Sequence, residues 1–286
     1  MNTMAGNMWI ASFPKSGNTW TRAFLANYLF GGKDPISIND MDKHCAHDAD
    51  VRYYEPFLEG DIQSLPAEAV YAVRPQVHRS MAEQADESTL VKIHNRKADY
   101  LGVPTITMDA TAGAIYIVRN PLDTVVSYAN HTGQSIDHAS KAMASPDLIA
   151  PSSKNLIVTD LGSWSDHVRT WVNSKGVYMI LVHYEAMIQN PEKTFESLIS
   201  FLRVPFDEKK FQRSIEFSSF KELSAQEKET GFLEQPPNST GNFFRSGKMG
   251  SWRDVLNKDQ VEFNLRTHSD MMRRMGYLDG SGRPTV

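Results

Sequence analysis

Cysteine is almost missing from this chain: Cys45 stands alone among 286 residues. One thiol cannot close an internal disulfide, which excludes a cross-linked secreted framework. Long apolar runs are lacking as well, and none approaches the roughly 18 residues that would suggest a membrane span. Residues 1–7 lack the basic and then apolar order of a secretory signal. There is no basic excess. The formal charge of -4 argues against a general nucleic-acid binder, although a few lysines and arginines can still converge on one anion. No His-Glu-x-x-His or Cys-x-x-Cys spacing occurs, so no metal is expected. The expectation left by these absences is a soluble cytoplasmic protein with no membrane or nucleic-acid partner.

What is present is an ordinary globular balance, 41% hydrophobic and 22% charged, enough for a sizeable core in one domain over residues 1–286. Short apolar runs at 9–13, 69–73, 90–93, 114–118 and 177–182 read as buried strands of a parallel sheet covered on both faces. Helical periodicity lies between them. Trp20, Phe24, Leu25, Tyr28 and Leu29 share a face, as do Leu161, Trp164, Val168 and Trp171, and Phe195, Leu198, Ile199 and Leu202. Strands alternating with helices predict a doubly wound α/β fold, P-loop-like, flanked by helices. Two segments read as irregular: 130–155, rich in Ala, Ser and His, and 227–242, which carries Gly231, Pro236, Pro237 and Gly241. Loops of that length in compact domains are often lids, though plain surface insertions look the same in sequence.

The first strand runs into Pro14-Lys15-Ser16-Gly17-Asn18-Thr19, and a helix begins near Trp20. A strand, a Gly-containing turn and a helix N-terminus form an anion cradle, because free N–H groups and the helix dipole both favour negative charge. Lys15, Ser16 and Thr19 add side-chain donors. On residue types alone, the alternative is an ordinary turn before a core helix. The Walker order is missing: Lys15 precedes Gly17, and no Gly-Lys-Ser/Thr follows. A metal-free phosphate ligand is therefore favoured over Mg-ATP.

Further along, Arg119 follows a strand and Pro121 suits a helix start, so Arg119 and Ser127 can both reach one phosphate. By itself, an arginine at a strand end is more often a surface ion pair than a phosphate ligand. The run Leu90-Val91-Lys92-Ile93-His94 places Lys92 and His94 on one face at a strand's carboxyl end, where open α/β sheets bind ligands.

Phe13-Pro14-Lys15-Ser16-Gly17-Asn18-Thr19-Trp20 resembles the 5′-phosphosulfate loop of the PAPS-dependent sulfotransferase family, Tyr/Phe-Pro-Lys-Ser-Gly-Thr-Thr-Trp, with Asn18 where Thr is common. Val118-Arg119-Asn120-Pro121 with Ser127 resembles its 3′-phosphate motif. Arg245-Ser246-Gly247-Lys248-Met249-Gly250-Ser251-Trp252 resembles its Arg-Lys-Gly-x-x-Gly-x-Trp segment, with Ser246 replacing a lysine. Lys92-Ile93-His94 resembles Lys-Thr-His, followed here by Asn95 and Arg96 in place of Leu-Pro. Tyr184, Ser218 and Phe220 match segments that line the adenine pocket.

The resemblance implies a soluble, cytosolic-type and bacterial member, of the EC 2.8.2 type. PAPS would be the co-substrate and PAP the product, with no metal. It implies that His94 is the base and that Lys15, Lys92 and Ser127 assist transfer. Lys15, Ser16, Gly17, Asn18, Thr19, Trp20, Arg119, Ser127, Tyr184, Ser218, Phe220, Arg245, Ser246 and Gly247 would hold the nucleotide. The expected acceptor is a small molecule, a phenol, alcohol or amine, with Tyr53, Tyr54, Phe57, His44, His131 and Tyr128 as candidate lining. The family's dimer segment, Lys-x-x-x-Thr-Val-x-x-x-Glu, has no clean counterpart after Trp252, so oligomeric state stays open. A small-molecule P-loop kinase and a non-catalytic PAP-binding protein are the alternatives.

Overall fold

The computed structural model describes residues 5–84 and 88–286, so residues 1–4 of the N-terminal segment read above lie outside it. The chain opens with β1 (Gly6–Ser12), which is buried throughout, and α1 (Asn18–Phe30). Next come β2 (Ala46–His47), α2 (Ala67–Ala72), α3 (Arg74–Glu83) and β3 (Ser88–Ile93). After the short antiparallel pair β4 (Asp99–Tyr100) and β5 (Val103–Pro104) lie β6 (Thr111–Val118), α4 (Pro121–Thr132) and α5 (Ile136–Ala144). A second short pair, β7 (Ile149–Ala150) and β8 (Thr159–Asp160), precedes α6 (Trp164–Val172) and β9 (Met179–His183). The remaining helices are α7 (Tyr184–Gln189), α8 (Pro191–Phe201), α9 (Glu208–Phe217), α10 (Phe220–Thr230) and α11 (Lys258–Arg274).

Five strands form one parallel sheet in the order β2-β3-β1-β6-β9. Strand alternation sends Trp9 and Ala11 to one face and Met8 and Ile10 to the other. Each face meets its own core. Trp9, Val91, Tyr116, Trp164 and Trp171 belong to one cluster; Ile10, Leu90, Ile117, Phe24 and Phe195 belong to the other. Burial on both faces is why these strands read as near-continuous apolar runs. Because β1 sits at the centre with β3 and β6 on either side, the carboxyl ends of these strands open at the topological switch point.

Three sequence expectations need correction. The run 69–73 is helical, lying in α2 and its C-cap, with Val70 and Tyr71 turned into the core. A short apolar run has no period that separates strand from buried helix, and the alanines on either side favour helix. The fifth strand is instead β2, whose two residues are too few to show alternation. The segment 130–155 is only partly irregular, since α5 fills 136–144 behind the N-cap Ser135. The segment 227–242 begins inside α10, and the irregular strap starts at Gly231, whose φ of 72° ends that helix. No helix among the described residues is long and apolar enough to cross a membrane.

Candidate active site

Turn 13–17 joins β1 to α1 at the switch point. Lys15 adopts φ 67°, a left-handed conformation costly for a non-glycine residue and concentrated at functional turns. Gly17 is the N-cap of α1 at φ 106°, and no side chain caps this helix. Its first-turn N–H groups therefore remain directed out of the end. A Cβ on Gly17 would lie 2.7 Å from Cδ2 of Tyr184, so only glycine lets the turn and that ring meet.

The turn's side chains divide by task. Asn18, the departure from threonine, donates its amide to the Ile10 carbonyl at 2.8 Å and to the Ser12 hydroxyl at 3.3 Å. It staples the turn to β1 and leaves only its main-chain N–H for a ligand. Thr19 Oγ1 accepts from Arg22 at 3.3 Å, which leaves the hydroxyl proton free to donate. Ser16 Oγ and Trp20 Nε1 are buried with no hydrogen-bond partner. The Lys15 ammonium lies 3.3 Å from the centroid of the Phe243 ring. Burial, with Arg119 and Lys92 nearby, lowers its pKa to about 7.

Arg119 stands at the end of β6, two strands from β3. Its guanidinium donates to the carbonyls of Lys15 at 3.0 Å and Lys248 at 3.4 Å, and lies 4.2 Å from the Tyr184 ring centroid. Its Nε is buried without a partner. Asn120 caps α4 by accepting from the Leu122 N–H, and Pro121 occupies the first turn as its fixed φ allows. Ser127 is half-buried on α4, and no hydrogen bond joins it to Lys15. Tyr184 contacts Trp20 edge-on at 6.1 Å. The Ser218 hydroxyl donates back to the Ser214 carbonyl at 2.7 Å, whereas the Phe220 ring is partly exposed and lies directly under Gly247. Gly247 adopts φ 57°; Ser246 is half-buried beside it and Arg245 is exposed.

At the end of β3, Lys92 pairs with Glu234, and His94 follows the strand. His94 Nδ1 lies 2.8 Å from the Ser12 carbonyl. A carbonyl can only accept, so Nδ1 carries the proton and Nε2 keeps its lone pair. Burial, reinforced by Lys92, holds the imidazole pKa well below its usual value, and the neutral form prevails at neutral pH. Asn95, where the resembling family has leucine, is a buried hub. It accepts from the Tyr71 hydroxyl at 2.8 Å and donates to Asp48 at 2.9 Å. Asp48 also takes both Arg74 and His78. Thus Asn95 anchors the strand end.

Several site residues escaped sequence reasoning. Glu234, in the strap, accepts two bonds from Arg22 at 2.7 Å each and one from Lys92 at 2.9 Å. Asp123 accepts from the N–H groups of Gly250 and Trp252. Glu227 accepts from those of Phe243 and Phe244. None of these three carboxylates has a local sequence signal, because each partner lies more than 15 residues away. Of the candidate acceptor lining, Tyr54 is core, its hydroxyl on the Asp48 carbonyl. His44 stacks on Phe30. Phe57 and Tyr53 border a separate surface hollow of about 260 Å³. Tyr128 packs on Phe13, and His131 meets the Phe243 ring.

A Gly-containing turn at a helix N-terminus, at the switch point of a doubly wound sheet, lies where such folds bind their ligands. The chain belongs to the sulfotransferase family: the family described as "Sulfotransferase domain" matches residues 6–276. It is 24% identical to sulfotransferase 1A1 of Rattus norvegicus over 263 residues, 90% of this chain and 81% of that relative. It is also 24% identical to sulfotransferase 1B1 of Mus musculus over 264 residues, covering 90% and 79%. A mouse sulfotransferase, SULT7A1, solved in complex with PAP, superposes with a TM-score of 0.61 at 18% identity, covering 95% of this chain and 85% of that one. A retinol dehydratase solved with retinol and PAP gives 0.62 at 17%, covering 93% and 81%. At these identities the structural likeness establishes the fold. Family membership sets aside the small-molecule kinase reading of the turn.

Proposed function

We propose that this chain transfers a sulfuryl group from PAPS to a hydroxyl or amine of a small-molecule acceptor, with His94 as general base. Two observations carry the reading together, an imidazole of fixed tautomer after β3 and a buried, unsatisfied donor set around turn 13–17 and Arg119. Ser16 Oγ, Trp20 Nε1 and Arg119 Nε are all buried without partners. Each such group costs about 1–3 kcal/mol if left so, and a polyanionic nucleotide provides the acceptors. The residues present therefore fit the donor.

Lys15, Ser16, Gly17, Thr19 and the Asn18 N–H would hold its 5′ end. Arg119, Ser127, Arg245, Ser246 and Gly247 would hold the 3′-phosphate, and Trp20, Tyr184, Ser218 and Phe220 the base. When bound, PAPS supplies an activated sulfuryl group on a leaving nucleotide. His94 Nε2 would take the acceptor proton as the sulfuryl group passes to the acceptor and its S–O bond to the nucleotide breaks, releasing PAP; the Ser12 carbonyl would steady the imidazolium through Nδ1–H. Lys15, with Lys92 near it, would stabilise the charge left on the departing nucleotide.

The acceptor we favour is a phenol or apolar alcohol. The retinol dehydratase structures, solved with retinol and with androsterone, hold molecules of that apolar kind. A cytoplasmic setting suits the single buried thiol, Cys45. The test is transfer of labelled sulfate from PAPS to a panel of phenols, alcohols and amines, paired with calorimetry of PAP. A chain that binds PAP but transfers to nothing on the panel would instead be the non-catalytic binder.

A further inference from the structure

Residues 231–250 form a strap across the site, fastened at several points. Glu227 at the end of α10 takes the Phe243 and Phe244 N–H groups. The Asn130 carbonyl takes the Thr240 N–H, and Asp123 takes those of Gly250 and Trp252. Two side chains of the strap reach the reacting centre, the Phe243 ring on Lys15 and the Glu234 carboxylate. Glu234 holds Arg22 of α1 with two bonds and Lys92 of β3 with a third. Arg22 is 1% exposed and Lys92 9% exposed, whereas the Glu234 side chain is 30% exposed. The two cations thus belong to the scaffold, and the carboxylate is the part that arrives with the strap.

We infer that Glu234 is a positioning residue, a latch that fixes the Lys92 ammonium at the transfer site and holds the strap, with Phe243 on Lys15, closed over the donor. The inference rests on the sulfuryl-transfer reading above for its catalytic consequence, but not for the latch itself. Without the carboxylate, Lys92 has no fixed direction and stands beside a buried, unpaired guanidinium. A misplacement of about 1 Å in such a group can cost up to about 100-fold in rate.

The test compares Glu234→Gln and Glu234→Asp with the wild type in three measurements. The first is hydrogen exchange of residues 231–250 without nucleotide. Exchange should quicken in Glu234→Gln and stay near wild type in Glu234→Asp, which keeps the charge. The second is steady-state transfer, in which Glu234→Gln should lose about 10- to 100-fold in kcat with little change in the acceptor KM. Glu234→Asp should recover much of it. The third is the pH dependence of PAP binding. Lys15 faces Arg119, Lys92, Glu234, Glu227 and His131. Removing the Glu234 charge moves the midpoint of its titration to lower pH, an effect that loss of packing alone does not produce. Unchanged exchange in Glu234→Gln overturns the latch, as does tighter PAP binding with kcat retained, which would make Glu234 a plug that the donor displaces. If the wild type neither binds PAP nor transfers sulfate, the functional reading fails, while the exchange measurement still decides the latch.

Discussion

Asp123 accepts the main-chain N–H of Gly250 at 2.6 Å and, through its other oxygen, that of Trp252 at 3.0 Å. One buried carboxylate in the first turn of α4 therefore fixes the C-terminal end of the strap. The same helix follows Arg119, so both halves of the proposed 3′-phosphate pocket are tied at one point. Asp123→Ala leaves these donors and the Ser251 hydroxyl without their acceptor, at about 1–3 kcal/mol for each group that stays buried. The expected outcome is a lower melting temperature and at least about tenfold weaker PAP binding, read by calorimetry. Asp123→Asn, which keeps one carbonyl oxygen, should fall between Ala and wild type.

Gly17 offers a test of the turn itself. Its φ of 106° is strained for any L side chain, and an added Cβ would press on the Tyr184 ring at 2.7 Å. Gly17→Ala should lower the melting temperature and weaken PAP more than it weakens the fold. The new methyl must displace either the turn or the ring, and both belong to the proposed nucleotide site. A Tyr184→Ala, Gly17→Ala double variant that regained stability without regaining PAP binding would locate the clash at that ring.

The residue patterns of the turn and of strand β3 carry most of what the sequence reveals of the site. Local sequence reports local structure, and the turn, the β3 pair and the Pro121 helix start are each local. What could not be read was long-range. Glu234, Asp123 and Glu227 act on partners far along the chain, and an isolated carboxylate in a loop looks the same whether it is solvated or buried. Asn95 was legible only as a departure from the family pattern, since its partners Tyr71, Asp48 and Asp160 converge by folding. The misread run 69–73 failed for a different reason, its period being too short to choose between strand and helix.

Lys15 supplies a pH signature. Free of nucleotide, its pKa lies at about 7, lowered first by burial and then by Arg119 and Lys92. A bound anion favours the charged form and raises that pKa. PAP binding should therefore take up a proton in the range just above pH 7, and affinity should fall as pH rises through that range. Calorimetry at pH 8 in buffers of different ionisation enthalpy measures the proton directly. Lys15→Arg, which stays charged, should bind without proton uptake.

The central claim is that His94, neutral and held by the Ser12 carbonyl, removes the acceptor proton during sulfuryl transfer. The most direct measurement is transfer of labelled sulfate from PAPS, by wild type and by His94→Ala, across the phenol, alcohol and amine panel. The wild type should label at least one acceptor, and the variant should lose about 10²- to 10⁴-fold in kcat while melting normally and binding PAP. A variant that keeps full activity would contradict the claim.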